Sequence, residues 1–208
     1  MLPPTEGQKA LPADAVLAAQ NRGEGSLRER SLGDQAGAVR LPFRIGYGYD
    51  VHPFAEGRPM YLGGVHFPEA ARGLQGHSDA DALLHAVCDA LLGAAALGDI
   101  GRHFPPSENR HKDRRSTEFL REVGALLATA GWHVGNLDVM VLAETPKVGP
   151  RVEEIRRVIS ETLGILPIQI SIKATTNEGM GFVGRGEGIA VHATALILAH
   201  REQTTEPA

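Results

Sequence analysis

Between Ser78 and Gly93 the chain reads SDADALLHAVCDALLG, a helix that is apolar almost all round with one charged line along it. Leu84, Val87, Cys88 and Leu91 recur at helical spacing, whereas Asp81, His85 and Asp89 are spaced by four and stack on a single stripe. A helix without a broad polar face has to be covered on most sides, so the chain must build layers around it. Charge buried there without partners is costly. The stripe therefore faces either solvent or a site. Ser78, with Asp81 three residues on, resembles a capping box. His77-Ser78-Asp79 stand at the amino end of the helix, where free N–H groups and the macrodipole favour an anion.

The rest of the chain supplies the layers. Ile45, Tyr47 and Tyr49 alternate as a strand should, and Met60 to Phe67, with Gly63-Gly64 inside, reads as a hairpin. A second helix is predicted from Asp113 or Ser116 to Gly131 through Phe119, Leu120, Val123, Leu126 and Leu127. Val134 to Leu142 reads as a strand, and Pro150 to Gly164 as a helix with Val152, Ile155, Ile159 and Leu163 inward. Ile168, Ile170 and Ile172 alternate on a further strand, and Ile189 to Leu198 closes the set. Strands interleaved with helices predict a single compact layered α/β domain over residues 44–200.

At 208 residues the chain has room for one such domain and an appendage. Residues 1–43 carry five basic and five acidic side chains, no histidine, and no aromatic before Phe43. Their one helix-like stretch, Asp14 to Asn21, is too short to stand alone. They are expected to be a disordered extension, and 201–208 a flexible tail. The whole net charge of −4 then belongs to the region after Phe43. That sign excludes a general electrostatic attraction to nucleic acid or an anionic membrane, so any phosphate must be held locally. One cysteine, Cys88, excludes an internal disulfide and the Cys-rich zinc modules. The opening residues MLPPTEGQKALPADAV lack the basic start and apolar stretch of a signal peptide, so a cytoplasmic location is expected.

Two segments carry chemistry. In Asp50-Val51-His52, directly after the first strand, side chains two apart share a face, so a carboxylate and an imidazole converge. An arbitrary pair of this kind is usually a turn. With His85 from the helix stripe, however, it makes three ligands of mixed nitrogen and oxygen type. Three ligands leave one tetrahedral position open, as in a catalytic zinc site. The second segment, KATTNEGMGFVGRGEG from Lys173 to Gly188, contains a formal GxGxxG, but a strand follows where a dinucleotide site needs a helix. It reads either as a Gly-rich hairpin connection or as a loop whose Thr175, Thr176, Glu178 and Arg185 suit phosphate oxygens and a hard divalent cation.

Five ordered motifs, RIGYGYDVH, GGVHFP, GHSDADALLHAVCDALLGAAALGDIG, AETPK and KATTNEGMGFVGRGEGIA, resemble the 2-C-methyl-D-erythritol 2,4-cyclodiphosphate synthase family across residues 44–199. The resemblance implies a compact α/β subunit that forms a homotrimer with active sites at subunit interfaces. It implies a phosphorus-oxygen lyase of the non-mevalonate isoprenoid pathway, which converts 4-diphosphocytidyl-2-C-methyl-D-erythritol 2-phosphate to the cyclic diphosphate and CMP. It further implies Zn2+ at Asp50, His52 and His85, and Mg2+ or Mn2+ at Glu178. His77 and Thr176 match the positions that stabilise the transition state, and Ser78 lies by the phosphates. Asp99, Ile100 and Gly101 match contacts to the erythritol portion, and the loop Phe104 to Glu108 another substrate segment. Ala143, Glu144, Thr145, Pro146, Lys147, Val148 and Gly149 match the cytidine-binding segment. Thr175, Thr176, Asn177 and Glu178 match the diphosphate lining, with Phe182 and Arg185 completing the set.

The chain departs from the family pattern at Pro106, where an acidic residue usually follows FP, and at Glu144, where Gln is expected. Asp81 and Asp89 are expected to orient the metal histidine and nearby backbone. Cys88 reads as a small packed hydrophobe. Trp132, His111 and His133 read as surface or packing residues, and His103 is ambiguous. A metal-dependent phosphohydrolase and a non-catalytic module with a structural metal are the competing readings.

Overall fold

The computed structural model describes residues 41–200, so the disorder expected of the extension up to residue 40 and the tail 201–208 lie outside the described residues. Phe43 opens the long strand β1 (Phe43–Ala55), which pairs antiparallel with β7 (Gly188–Ala199) from Phe43 to Pro53. β7 pairs antiparallel with β5 (Trp132–Leu142), and β5 pairs parallel with β6 (Ile170–Thr175). A parallel pair needs a crossover, and the helix α4 (Val152–Leu163) supplies it. A two-residue strand, β4 (Gly73–Leu74), completes a mixed five-stranded sheet in the order β4-β1-β7-β5-β6. The short strands β2 (Tyr61–Leu62) and β3 (Val65–His66) form the hairpin anticipated around Gly63-Gly64.

One face of the sheet is covered by α1 (Ala82–Ala94), α3 (Ser116–Thr129) and α4, whose Leu84, Val87, Leu120, Val123, Ile155 and Ile159 are buried against Val139, Val141, Val191 and Ile197. Burial of this aliphatic set is the main stabilising contribution, at about 25 cal/mol per Å² of apolar surface. Two short helices, α2 (Ile100–His103) and α5 (Gly181–Gly184), sit in the connections. Among the described residues no helix is long and apolar enough to cross a membrane.

Local expectations shift in two places. The helix α1 starts at Ala82, with Asp81 and not Ser78 as its cap, because Ala80 takes a φ of +57° that interrupts any helix running back to Ser78. The strand expected from Ile168 starts at Ile170. Pro167 has no N–H for the ladder, so Pro167–Gln169 forms a 3-10 turn and leaves Ile168 81% exposed.

The alternation in β1 has an unexpected sense. Gly46 and Gly48 point inward at α1, while Phe43, Ile45, Tyr47, Tyr49 and Val51 point out of the sheet, with Ile45 66% and Tyr47 61% exposed. An outer sheet face of this kind normally carries polar residues. A contiguous apolar stripe marks a contact surface instead.

Candidate functional site

The two inward glycines determine where the helix lies. A Cβ on Gly46 would sit 1.9 Å from the Ala90 carbonyl oxygen, and one on Gly48 would sit 2.0 Å from that of Ala86. The helix α1 therefore rests directly on the β1 backbone. Two and four residues beyond Gly48, Asp50 and His52 point to the same side, and His85 comes down from α1 to meet them. Their ligand atoms lie within 4.8 Å of one another. Asp50 Oδ2 is 3.0 Å from His52 Nε2 and 3.2 Å from His85 Nδ1, and the two nitrogens are 3.3 Å apart.

All three side chains are half-buried. Burial works against a charge on Asp50, but hydrogen bonds and attraction from His52 and His85 outweigh it and hold the carboxyl well below the usual carboxylate range. Burial likewise opposes protonation of His52, and Asp50 overcomes it to raise that imidazole. The outer ring nitrogens are engaged: His52 Nδ1 is 2.6 Å from the Gln75 carbonyl oxygen, and His85 Nε2 is 2.9 Å from Ser116 Oγ. One carboxylate and two histidines with their far nitrogens held suit a divalent ion such as zinc.

The carboxylates of Asp81 and Asp89, expected to orient His85 and nearby backbone, bond backbone N–H groups and not the His85 ring. The carboxylate of Asp81 is fully buried and accepts from the Gly63, Gly64 and Leu84 N–H groups, so it clamps the β2–β3 hairpin to the start of α1. Burial and the neighbouring Asp79 push its pKa up. Asp89, one turn after His85, accepts the Ile100 N–H at 2.7 Å. This ties Asp99, Ile100 and Gly101 to α1 one turn from the triad. Asp99 caps α2 by accepting from Arg102 N–H. Cys88 is buried and its thiol is pushed up by that burial, consistent with a packing role.

Ser78 Oγ is 3.3 Å from His85 Nε2, so Ser78 stands at the edge of the triad. His77 has its carbonyl bonded to Asp113 N–H, and its Nε2 is buried with no hydrogen-bond partner. An unpartnered buried ring nitrogen is expensive unless a ligand satisfies it. Phe104 lines a shallow hollow with His103, Glu122 and Leu126. Its ring packs against Phe119 at 4.7 Å and His111 at 5.7 Å between centroids. Glu108 pairs with Arg110 at 2.5 Å, while Pro106 is exposed.

A second cluster forms at the end of the sheet beyond β5 and β6. Glu144 Oε1 accepts the Asn177 N–H at 2.9 Å, and Ala143 N–H donates to the Thr175 carbonyl. The Glu144 departure is therefore intelligible, because a Glu or a Gln side-chain oxygen serves equally as that acceptor. The Thr176 hydroxyl donates to Glu178 Oε1 at 2.9 Å, and Glu178 is held at a φ of +50°. Lys147 and Thr145 are exposed, and Pro146 and Val148 are buried beneath them before the turn at Gly149. Phe182 lines a hollow with Tyr47, Tyr49, Asn177 and His192, and Arg185 pairs with Glu187 at 2.7 Å.

The sheet register separates the two clusters. Val51, Ala190, Leu142 and Thr175 stand side by side across β1, β7, β5 and β6, so Thr175 lies three strand spacings, about 14 Å, from β1. Asp50 and His52 point to the helix side, whereas Thr175 shares the outer side with Val51. The sequence reading placed Asp79 at the helix start but missed Ser116 and the link it makes from Asp79 to His85. Ser116 looked only like a helix start, and the signal available was a small hydroxyl residue beside an apolar helical run.

Residues 43–198 match the model of the YgbB family. A 2-C-methyl-D-erythritol 2,4-cyclodiphosphate synthase from Syntrophomonas wolfei is 55% identical over 154 residues, covering 74% of this chain and 98% of that protein. A bifunctional enzyme IspD/IspF from an Anaeromyxobacter species is 56% identical over 163 residues, covering 78% of this chain, which spans only 42% of that longer protein. An IspF from Plasmodium falciparum, solved as a CDP complex, superposes with a TM-score of 0.67 at 33% identity, covering 76% of this chain and 97% of that one. With its Asp-His-His triad on β1 and α1 and homologues at this level of identity, the chain belongs to the YgbB family, the 2-C-methyl-D-erythritol 2,4-cyclodiphosphate synthases.

Proposed function

We propose that this protein converts 4-diphosphocytidyl-2-C-methyl-D-erythritol 2-phosphate to 2-C-methyl-D-erythritol 2,4-cyclodiphosphate with release of CMP, as a phosphorus-oxygen lyase of isoprenoid precursor synthesis. The observation that carries this reading is the convergence of Asp50, His52 and His85 within a chain that matches the family from residue 43 to residue 198. An oxygen of the substrate's 2-phosphate attacks the β-phosphorus, and the bond from that phosphorus to the CMP oxygen breaks. The protein supplies no nucleophile. Its task is to hold two ends of one flexible molecule together, which is worth on the order of 7–11 kcal/mol in well-oriented intramolecular reactions.

Asp50, His52 and His85 hold Zn2+, and Glu178 takes Mg2+ or Mn2+. These ions supply polarisation of a phosphate oxygen and neutralisation of the charge gathering on CMP. The unpartnered Nε2 of His77 and the Ser78 hydroxyl approach phosphate oxygens beside the triad. Asp99, Ile100 and Gly101, anchored through Asp89, hold the erythritol portion. Ala143 to Gly149, including Lys147, holds the cytidine, and Thr175, Thr176 and Asn177 hold the diphosphate, with Thr176 at the transition state. Phe182 and Arg185 close the pocket.

The two clusters lie on opposite sides of one sheet, so a substrate touching both must do so across two copies of the chain. The apolar outer stripe from Phe43 to Val51 is the surface on which copies pack, as a homotrimer. Incubation of the full chain with Zn2+, Mg2+ and substrate is expected to yield CMP and the cyclic diphosphate. Release of inorganic phosphate would point instead to a hydrolase, and absence of turnover with metal bound to a non-catalytic module. His85→Ala is expected to lose stoichiometric zinc and activity together while remaining folded. Elemental analysis beside a CMP-release assay checks this, and full activity without metal would overturn the zinc assignment.

A further inference from the structure

Ser116 is the first residue of α3 and is fully buried. Its Oγ lies 2.5 Å from Asp79 Oδ1 and 2.9 Å from His85 Nε2. A hydroxyl has one proton to give, and an ionised carboxylate only accepts. Asp79 also accepts the Ser116 N–H at 3.0 Å and Arg115 Nε at 3.1 Å, so every group facing its Oδ2 is a donor. The Ser116 proton therefore goes to Asp79, and the lone pairs of Oγ face His85. His85 therefore carries a proton on Nε2, and in the neutral ring Nδ1 is the unprotonated nitrogen turned towards Asp50 and His52. The other nearby hydroxyl, Ser78 Oγ, which accepts Ala80 N–H at 3.2 Å, lies farther from His85 Nε2, at 3.3 Å against 2.9 Å for Ser116.

We propose that Asp79 and Ser116 form a positioning relay, Asp79 carboxylate to Ser116 hydroxyl to His85 Nε2–H, which fixes the tautomer and ring orientation of His85 so that Nδ1 is its metal-binding atom. His52 needs no such relay, because the Gln75 carbonyl holds its Nδ1–H directly and leaves Nε2 free. The two histidines thus bind through different ring nitrogens and are set by different means. His85 has no backbone carbonyl as a partner, and Asp79 serves through one hydroxyl. Arg115 anchors the far end of the chain, with Nη2 donating to the Gly64 carbonyl and its guanidinium lying 3.7 Å over the Tyr61 ring.

This inference rests on reading Asp50, His52 and His85 as a metal site, and the test separates the two. Zn2+ alone is titrated into the metal-free full chain against a chromophoric chelator, and the tautomer is read by NMR of 15N-histidine-labelled protein. Wild type is expected to bind one zinc with the His85 proton on Nε2 in the metal-free state. No zinc binding by wild type would overturn the site itself. Zinc binding with the proton on Nδ1 would overturn the relay alone, and that measurement needs no variant. Ser116→Ala and Asp79→Asn are each expected to weaken zinc binding about 10–100-fold, and Ser116→Thr to restore it to within about 3-fold. The double variant Ser116→Ala/Asp79→Asn is expected to bind no more weakly than the worse single one. Unchanged affinity in Ser116→Ala, or additive losses in the double variant, would overturn the relay. A merely structural role would lower the urea midpoint of the metal-free protein without moving the tautomer.

Discussion

His52 and His85 approach one point through opposite ring nitrogens, and each is fixed by what the other face of its ring meets. In the metal-free protein burial disfavours the His52 imidazolium, but Asp50 prevails and lifts its pKa above the ordinary 6.5. A raised pKa stabilises the metal-free fold below about pH 6.5, and that contribution fades as pH climbs through the raised value. Metal needs the neutral ring, so the proton and the metal compete for Nε2. Zinc affinity is therefore expected to fall as pH drops through the raised His52 value, with protons released on binding. Calorimetry in buffers of different ionisation enthalpy reads this, and an affinity unchanged between about pH 6 and about pH 8 would contradict it. The triad itself was legible, because i,i+2 on a strand and a lone histidine on an apolar helix are strong geometric statements. What holds the triad was not legible: the partner of His52 is a main-chain carbonyl, and Ser116 is thirty-one residues from His85 in a different helix. No spacing rule reaches either.

The contact between α1 and β1 is built on absent side chains. Sequence alternation marked Ile45, Tyr47 and Tyr49 as the informative residues of β1, yet Gly46 and Gly48 are the ones against the helix. Periodicity identifies a strand without saying which of its faces is the core, and a strand flanked by glycines on one face misleads that choice. Gly48→Ala forces a methyl group onto the Ala86 carbonyl, so α1 must lift. Overpacking of this kind is expected to remove about 1–3 kcal/mol of stability, read by urea unfolding. It should also weaken zinc binding, since His85 rides on the displaced helix. Wild-type zinc affinity in this variant would show that the helix position does not set the triad. The helix ends were legible to within a few residues. Where the start of α1 or of β6 moved, the cause was a backbone feature, the φ of Ala80 or the missing N–H of Pro167, that hydrophobic spacing does not register.

For the whole molecule the constraint is that one chain carries its Asp-His-His triad and its Thr175–Glu178 loop on opposite sides of the same sheet. Tyr47→Glu places a charge in the outer apolar stripe and is expected to dissociate the proposed homotrimer. Native mass spectrometry and the CMP-release assay should change together while each free chain still binds zinc. Retained activity in a monodisperse monomer would refute shared sites. The mixed α/β layering was legible from the order of elements, but the exposed stripe was not, because an apolar residue on a strand reads the same whether it meets its own core or a neighbour's. This division has a genetic counterpart. His85→Ala and Thr176→Ala damage different halves, and a mixed assembly can still pair an intact triad from one copy with an intact loop from the next. Two such alleles, each null by itself, should therefore complement one another within a single cell.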